Sequence, residues 1–182
     1  ETGPVSATGV VCYAYDGASN LTSYQDIGGQ VTYGYNTLNE DTSLVEPGGT
    51  ATTTFGYDNN HRRTTTSYPV SVTQTVTYDA AGRVSTMAAP NPAGGYFTNF
   101  SYSYTSNGAD TALVQTITDT VRNTTTAQGY DKLNRLFTWC VVTTGTATSP
   151  CPTSGQTGFV HNYQYAFDGN SNRTSVNADG VV

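Results

Sequence analysis

The chain has 182 residues and a formal net charge of −6, and only 11% of its residues are charged. Its 7 Lys and Arg against 13 Asp and Glu exclude the basic surface that binds nucleic acid or anionic membranes. No apolar run approaches the length of a transmembrane helix, so we expect neither a nucleic-acid partner nor direct membrane insertion. Residues 1–3 are typical of a scar left by a secretion vector, and we therefore begin the fold at residue 4.

A short motif recurs along the chain, as in "YDAAGRVSTM" at 78–87 and "YDKLNRLFTW" at 130–139. A reaction needs one site, whereas a recurring motif indicates a structural unit. The second aromatic residue of each motif, which we call the anchor, is Tyr15, Tyr35, Tyr57, Tyr78, Tyr104, Tyr130 or Phe167. Two residues earlier stand Tyr13, Tyr33, Phe55, Val76, Tyr102, Gln128 and Tyr165. Because residues i and i+2 share one face of a strand, each pair predicts a strand with an aromatic face.

A turn is predicted directly after each anchor. The next residue is Asp16, Asn36, Asp58, Asp79, Thr105, Asp131 or Asp168, and Asp and Asn favour the first position of a type I turn. The fourth residue after the anchor is Ser19, Asn39, His61, Gly82, Gly108, Asn134 or Ser171. Gly, Asn and His adopt positive φ readily, as a G1 bulge requires, whereas the two serines fit this position less well. Each motif therefore predicts one β-hairpin.

Turn-forming clusters separate the hairpins: "GGQ" at 28–30, "EPGG" at 46–49, "PNPAGG" at 90–95 and "TDTVRNTTT" at 118–126. No segment keeps the 3.6-residue apolar period of a helix. We predict an all-β fold of about seven tandem hairpins, forming a single array over residues 4–182 with an inserted loop near 140–158. The array should be a curved, open antiparallel sheet in which successive hairpins stack their Tyr rings in ladders.

Cysteine is sparse. Cys140 and Cys151 bracket the predicted insertion, and a disulfide between them would stabilise the fold by about 3 kcal/mol; spacing alone leaves open whether it forms. Cys12 would then be either a small buried residue or the partner of a thiol elsewhere. No Cys or His spacing indicates zinc, and we expect no metal and no cofactor.

Other residues allow a chemical and a structural interpretation. His61 and His161 could act as general bases, but no neighbouring nucleophile or carboxylate pattern supports this, and turn or surface histidines are favoured. The recurring aspartates favour turn capping over a calcium ladder. The arginines that follow the turns are Arg62, Arg83, Arg135 and Arg173. They could bind an anionic ligand, but pairing with turn carboxylates or stacking on Tyr rings is the favoured interpretation. We predict that the chain is not an enzyme.

The motifs "YDAAGRVSTM", "TDTVRNTTTAQGYDKLNRLFTW" and "YQYAFDGNSNRTS" resemble the YD repeats of RHS-repeat proteins, over nearly the whole chain. That family includes bacterial Rhs and wall-associated polymorphic toxins, the C components of insecticidal ABC toxins, and animal teneurins. The resemblance implies hairpins that spiral into a hollow shell, which in the bacterial members encloses a C-terminal toxin. Nothing here matches the "RYYDPxxGRF"-type segment associated with self-cleavage, so no catalytic residue is carried over.

The resemblance leads to a functional prediction: a structural segment of a secreted or cell-surface protein, favoured as bacterial, whose repeats form shell wall. Its partners would be the remaining repeats and the C-terminal cargo of the same polypeptide. The competing hypothesis is an adhesion or carbohydrate-binding module that contacts a surface glycan or protein receptor through exposed aromatic residues such as Trp139. The two hypotheses differ in whether the aromatic side chains are buried between hairpins or form an exposed platform.

Overall fold

The computed structural model describes residues 10–143, 151 and 159–178. The predicted scar at 1–3 and most of the predicted insertion near 140–158 lie outside these residues. The strands are β1 Cys12–Tyr15, β2 Leu21–Asp26, β3 Gly29–Tyr35, β4 Asp41–Val45, β5 Thr52–Tyr57, β6 Arg63–Tyr68, β7 Val72–Tyr78, β8 Val84–Pro90, β9 Tyr96–Ser103, β10 Thr105–Ser106, β11 Ala109–Asp110, β12 Thr116–Asp119, β13 Thr124–Tyr130, β14 Leu136–Thr143, β15 Phe159–Phe167 and β16 Arg173–Ala178. No helix occurs among the described residues, and hence none that could span a membrane.

Fourteen of the strands form one open antiparallel sheet in chain order, from β1 at one edge to β16 at the other. The remaining two, β10 and β11, pair only with each other. This arrangement confirms the predicted all-β fold with an open antiparallel sheet. By compactness the chain divides into two units, Glu1–Val76 with Ala89–Gly94 and Thr77–Ala88 with Gly95–Val182. The assignment of residues 4–182 to a single array remains a prediction.

The pairing register shifts by one residue immediately before five of the anchors: Tyr15, Tyr35, Tyr57, Tyr130 and Phe167. In each of these hairpins the residue before the anchor pairs with the residue that lies eight positions after the anchor. The pairs are Ala14 with Ser23, Gly34 with Ser43, Gly56 with Thr65, Gly129 with Thr138, and Ala166 with Ser175. A small residue therefore faces a hydroxyl residue every time.

Steric contact explains this pairing in the first unit. A Cβ atom built at Gly34 would collide with Oγ of Ser43, and one at Gly56 would collide with Oγ1 of Thr65. The missing side chain leaves room for the hydroxyl group on the neighbouring strand, and a Gly inside a strand often marks such a close approach. The bulge and the small residue together fix the register of the hairpin.

Fully buried apolar side chains are few in the described part of the chain. One cluster contains Ala127, Cys140, Cys151 and Phe159, with Val142 packed against it. Cys140 and Cys151 form a disulfide with their Cα atoms 5.9 Å apart, which settles the pairing that spacing left open. Cys12 is exposed on β1, so its interpretation as a small buried residue is wrong.

We expect Gly56→Val to destabilise the fold by about 1–3 kcal/mol, because the new side chain must displace the hydroxyl of Thr65 within the sheet. Urea unfolding of the purified chain measures this loss. Gly17→Val is the control, since no atom lies within 4 Å of a Cβ at that position. Equal unfolding midpoints for the two variants would contradict the steric explanation.

Candidate functional site: the seams between repeats

After six of the seven anchors the turn is held by one side chain, as Asp58 shows. Its carbonyl accepts a hydrogen bond from the backbone N–H of His61 at 3.0 Å, and its own N–H donates to the carbonyl of Arg62 at 3.0 Å. Its Oδ1 accepts from the backbone N–H groups of Asn60 at 2.9 Å and Arg62 at 3.0 Å. The same backbone pattern occurs at Asp16, Asn36, Asp79, Asp131 and Asp168. Asp and Asn hold such turns more strongly than Ser or Thr, which explains the recurrence of these residues.

The fourth turn residue has positive φ in every repeat. The predicted positions are all left-handed: Ser19 (68°), Asn39 (61°), His61 (62°), Gly82 (81°), Gly108 (80°), Asn134 (60°) and Ser171 (67°). The two serines, which fitted the sequence pattern less well, adopt the same conformation as Asn and His. For a non-glycine residue the left-handed conformation costs roughly 1–2 kcal/mol in conformational free energy. The hydrogen bonds accepted by the first turn residue compensate for that strain.

The fifth turn residue returns its side chain to the first. Arg62 Nε donates to Asp58 Oδ2 at 2.8 Å, and the corresponding distance is 2.7 Å for Arg83 with Asp79. The other such pairs are Asn20 with Asp16, Glu40 with Asn36, Arg135 with Asp131, and Asn172 with Asp168. Three of the four arginines that follow the turns, Arg62, Arg83 and Arg135, are thus paired with the turn carboxylates.

The fifth repeat departs from this pattern. Thr105 does not begin an Asp-type turn; it begins β10, which pairs with β11 across Asn107 and Gly108, both at positive φ. The prediction of a turn that starts at Thr105 is therefore wrong. Its side chain has no oxygen with the reach of a carboxylate, whereas the Asn-Gly dipeptide strongly favours a two-residue hairpin turn.

Neighbouring hairpins meet at what we call a seam. At a seam the return strand and turn of one hairpin contact the first strand and turn of the next. At three seams an anchor hydroxyl donates to a backbone carbonyl of the preceding hairpin: Tyr35 to Leu21 at 3.0 Å, Tyr57 to Asp41 at 2.7 Å, and Tyr104 to Val84 at 2.9 Å. In each case the acceptor lies six residues after the preceding anchor. The same bond therefore joins different pairs of neighbouring repeats.

The last two anchors use other contacts. The hydroxyl of Tyr130 donates to Oε1 of Gln128 at 2.6 Å, within its own strand. Phe167 has no hydroxyl, and the guanidinium of Arg135 from the preceding repeat lies 4.6 Å from the centre of its ring. Arg83 covers the ring of Tyr104 in the same way at 4.1 Å. A guanidinium over an aromatic face is favourable by about 0.5–1 kcal/mol at exposed sites.

A second seam contact joins the turns themselves. Asn20 Nδ2 donates to Asn39 Oδ1 at 2.9 Å, and Arg135 Nη1 donates to Ser171 Oγ at 3.1 Å. Glu40 Oε1 lies 2.8 Å from Nδ1 of His61. In all three pairs the fifth residue of one turn contacts the left-handed residue of the next. His61 is thereby placed as a turn-to-turn contact rather than beside a nucleophile.

The remaining predicted candidates lie elsewhere. His161 stacks on Trp139 with ring centres 6.2 Å apart, and Tyr163 contacts both rings. Arg173 lies 5.9 Å from the centre of the Tyr165 ring within its own hairpin. Among residues 10–143, 151 and 159–178, no three His, Cys, Asp or Glu side chains are grouped so as to hold a metal ion.

The motif aromatic residues differ in exposure. Tyr13 and Tyr15 of the first hairpin are 58% and 62% exposed. The others are partly buried: Tyr33, Tyr35, Phe55, Tyr57, Tyr78, Tyr102, Tyr104, Tyr130, Tyr165 and Phe167. The anchors whose contacts with the preceding hairpin are described make them through a hydroxyl hydrogen bond or by packing beneath an arginine guanidinium. The predicted ladder of stacked rings is therefore not what joins those repeats.

Sequence reasoning missed two elements of the seam. One is the residue eight positions after the anchor, a Ser or Thr at Ser23, Ser43, Thr65, Thr86, Thr138 and Ser175. The other is the anchor hydroxyl, because a ladder of stacked Tyr rings assigns no partner to the hydroxyl group. The fixed offset of the hydroxyl residues was a signal already present in the sequence.

The turn carboxylates have lowered pKa values. The hydrogen bond from the Arg side chain is the largest cause for Asp58 and Asp79, and the side-chain bond from Asn is the largest for Asp16 and Asp168. For Asp131 the backbone N–H of Arg135 lowers the pKa most. Since all of these hydrogen bonds belong to the folded turn, folding stabilises the ionised form of each turn carboxylate.

Comparison with known proteins gives a likeness to solved structures alone. No family model matches the chain, and no curated protein matches it. The crystal structure of TcdB2-TccC3-Cdc42 matches 93% of this chain with a TM-score of 0.70 and 15% identity. That of TcdB2-TccC3 matches 93% at 0.71 and 14%. The Tc holotoxin pore of Photorhabdus luminescens, with a substituted TccC3, matches 92% at 0.66 and 16%.

The likeness is one of fold. The chain spans 9% of the length of each matched chain, so it is similar to one stretch of a much larger protein. At 14–16% identity the comparison supports the open antiparallel sheet of hairpins and carries no residue role across. The geometry of the seams comes from this chain alone.

We expect the stability of the chain to fall as the pH drops below about 4. The carboxylates of Asp16, Asp58, Asp79, Asp131 and Asp168 have lower pKa values folded than unfolded. Their contribution is therefore present above the ordinary Asp pKa of about 3.9 and is lost as the pH falls through their folded values. Urea midpoints measured from pH 7 to pH 2 test this.

The matched variant for the acid effect is Asp16→Asn. Asn36 holds the same turn position naturally, so the turn should form while one acid-sensitive group is removed. Its midpoint should depend less steeply on pH below 4 than that of the wild type. A wild-type midpoint that rises on acidification would contradict the assignment.

We expect Tyr35→Phe to lower the free energy of unfolding by about 0.5–1.5 kcal/mol, because the carbonyl of Leu21 loses its side-chain donor at the seam. Urea unfolding at pH 7 measures the change. Tyr68→Phe is the control, since Tyr68 is not an anchor and is 42% exposed at the end of β6. A loss equal to that of the control would contradict the role of the hydroxyl.

Proposed function

We propose that the chain is a non-enzymatic structural segment of a larger RHS/YD-type protein and forms part of a wall that encloses a C-terminal effector. The observation that carries the proposal is the seam: the hydroxyl bond of Tyr35, Tyr57 and Tyr104 recurs between different hairpins. A recurrent contact between neighbours is what an extended wall requires and what a single catalytic centre does not. The fold likeness to TccC3-containing structures supports the same choice.

The side chains that could in principle act in catalysis instead make structural contacts. Asp58, Asp79 and Asp131 each hold a turn and an arginine, and His61 contacts Glu40 of the preceding turn. The proposed mechanism is therefore steric. In the proposed wall, strand pairing that continues from repeat to repeat would exclude proteases and solvent-borne substrates, so the enclosed effector would stay inactive until the wall opens. The proposed partners are further repeats and the C-terminal cargo of the same polypeptide, in a secreted or cell-surface protein of bacterial origin.

Limited proteolysis of the full-length protein that contains this segment tests the proposal. We expect the C-terminal cargo to survive a protease dose that digests the same cargo expressed alone. The triple variant Tyr35→Phe, Tyr57→Phe, Tyr104→Phe, which weakens three seams, should shorten the survival time of the cargo. Tyr68→Phe should leave it unchanged. A cargo that is cut at the same rate with and without the repeats would contradict enclosure.

One observation favours a second candidate, an adhesion or glycan-binding module. Trp139, His161 and Tyr163 form a ring cluster across β14 and β15, in which His161 is exposed and the other two rings are partly buried. Aromatic rings of this kind can stack on the apolar face of a sugar. Titration of the isolated chain with a panel of oligosaccharides, followed by Trp139 fluorescence, distinguishes the candidates. A saturable change in fluorescence that Tyr163→Ala abolishes would favour the glycan-binding module. No change in fluorescence would favour the structural wall segment.

A further inference from the structure

The seam between the repeats anchored by Tyr104 and Tyr130 contains extra residues. At four other seams the residue eight positions after one anchor pairs with the residue three positions before the next. Ala127, three positions before Tyr130, pairs instead with Thr116, which lies twelve positions after Tyr104. The additional length belongs to the segment 105–115, which contains the β10–β11 hairpin and the loop that follows it.

A cavity of about 350 Å³ lies between this segment and the turn that follows Tyr130. Its described lining residues all belong to the second compact unit. The hydroxyl of Tyr130 donates to Gln128 in its own strand, whereas the hydroxyl of Tyr104 donates to a carbonyl of the preceding hairpin. This seam therefore has a cavity in place of the hydroxyl bond, and the volume is within the range of pockets that hold small organic molecules.

Hydrogen bonds hold the loop side of the cavity in place. Thr111 Oγ1 lies 2.7 Å from the carbonyl oxygen of Tyr104 and 2.9 Å from that of Leu113, and it accepts a hydrogen bond from Gln115 Nε2 at 3.0 Å. Gln115 is only 4% exposed, and its backbone N–H donates to the carbonyl of Ser103 at 2.7 Å. The wall is thus formed before any ligand enters, which reduces the entropy lost on binding.

The charge that borders the cavity is already compensated. Asp131 is the only Asp, Glu, Lys, Arg or His among the described lining residues. Its Oδ1 accepts from the backbone N–H groups of Leu133 at 2.8 Å and Arg135 at 3.0 Å, and its Oδ2 accepts from Arg135 Nε at 2.7 Å. An ion that entered would lose its hydration without gaining an unpaired opposite charge, so the cavity favours a neutral ligand.

The uncharged lining residues provide both polar and apolar groups. Ser106, Asn107 and Asn134 carry hydroxyl or amide groups that donate and accept hydrogen bonds, whereas Leu113 and Phe137 are apolar. A sugar ring has the same two properties, with hydroxyl groups around its edge and apolar C–H groups on its faces. A purely apolar molecule would match only part of this lining.

We propose that this cavity binds a single neutral sugar ring. The hydroxyl and amide groups of Ser106, Asn107 and Asn134 supply its hydrogen bonds, and Phe137 packs against its C–H groups. The site does not depend on the proposed wall. It is also distinct from the ring cluster around Trp139, whose residues are not among those that line the cavity.

Saturation-transfer NMR of the complete chain tests the proposal with D-glucose, D-galactose, D-mannose and N-acetyl-D-glucosamine. We expect at least one of these to bind saturably with a Kd of about 1–10 mM, as the small size of a single ring implies. D-glucuronate and D-glucosamine, which are charged, should bind at least about threefold more weakly. Absence of binding by all four neutral sugars, or tighter binding of the charged ones, would overturn the proposal.

Variants locate the binding site. Ala112 is exposed and lines the cavity, so Ala112→Leu should reduce its volume and raise the Kd about tenfold. Ala81→Leu is the matched control, because Ala81 is an exposed turn residue outside the cavity and Leu38 and Leu133 occupy the same turn position naturally. The control should bind like the wild type. Urea midpoints equal to that of the wild type verify that both variants fold.

Two further variants distinguish this cavity from the Trp139 cluster. Ser106→Val removes one hydroxyl from the lining and should raise the Kd about threefold to tenfold, as the loss of one hydrogen bond implies. Tyr163→Ala alters the ring cluster and should leave the Kd unchanged. Binding that Tyr163→Ala abolishes, or that Ala112→Leu and Ser106→Val both leave intact, would overturn the assignment to the cavity.

Discussion

The structure depends on one interaction, the acceptance of two backbone N–H groups by a single side-chain oxygen at the start of each turn. At Asp58 that oxygen holds the N–H groups of Asn60 and Arg62, and it thereby keeps His61 in the left-handed region. The turn then fixes the bulge before the anchor, and the bulge fixes the register of the hairpin. Where the oxygen is missing, at Thr105, the chain builds a different hairpin and the register of the following seam changes.

Cohesion comes from repetition rather than from a large core. Few described side chains are fully buried, and the cluster around Ala127, Cys140 and Phe159 is confined to the second unit. Each seam adds a small term, such as one hydroxyl-to-carbonyl bond of about 0.5–1.5 kcal/mol, to the backbone pairing of the strands. Stability of this kind accumulates with the number of neighbours, which suits a wall of many hairpins better than an isolated domain.

The sequence predicted most of the fold because its strongest signals are local. The Asp or Asn after six of the seven anchors and the residue three positions later define a turn within five residues, and the structure places positive φ even at Ser19 and Ser171. Contacts between repeats were harder to infer. The bond from Tyr35 to Leu21 spans 14 residues, and the pair of Glu40 with His61 spans 21. Neither partner carries a pattern by itself; the bonds emerge only once the register aligns them.

Electron microscopy of the full-length protein that contains this segment tests the central claim most directly. If the seams continue beyond the described residues and build a wall, the particle should be hollow, with β-strands winding through its surface and density for the cargo inside. An open or solid rod without enclosed density would contradict the wall and leave the aromatic cluster around Trp139 as the stronger lead to function.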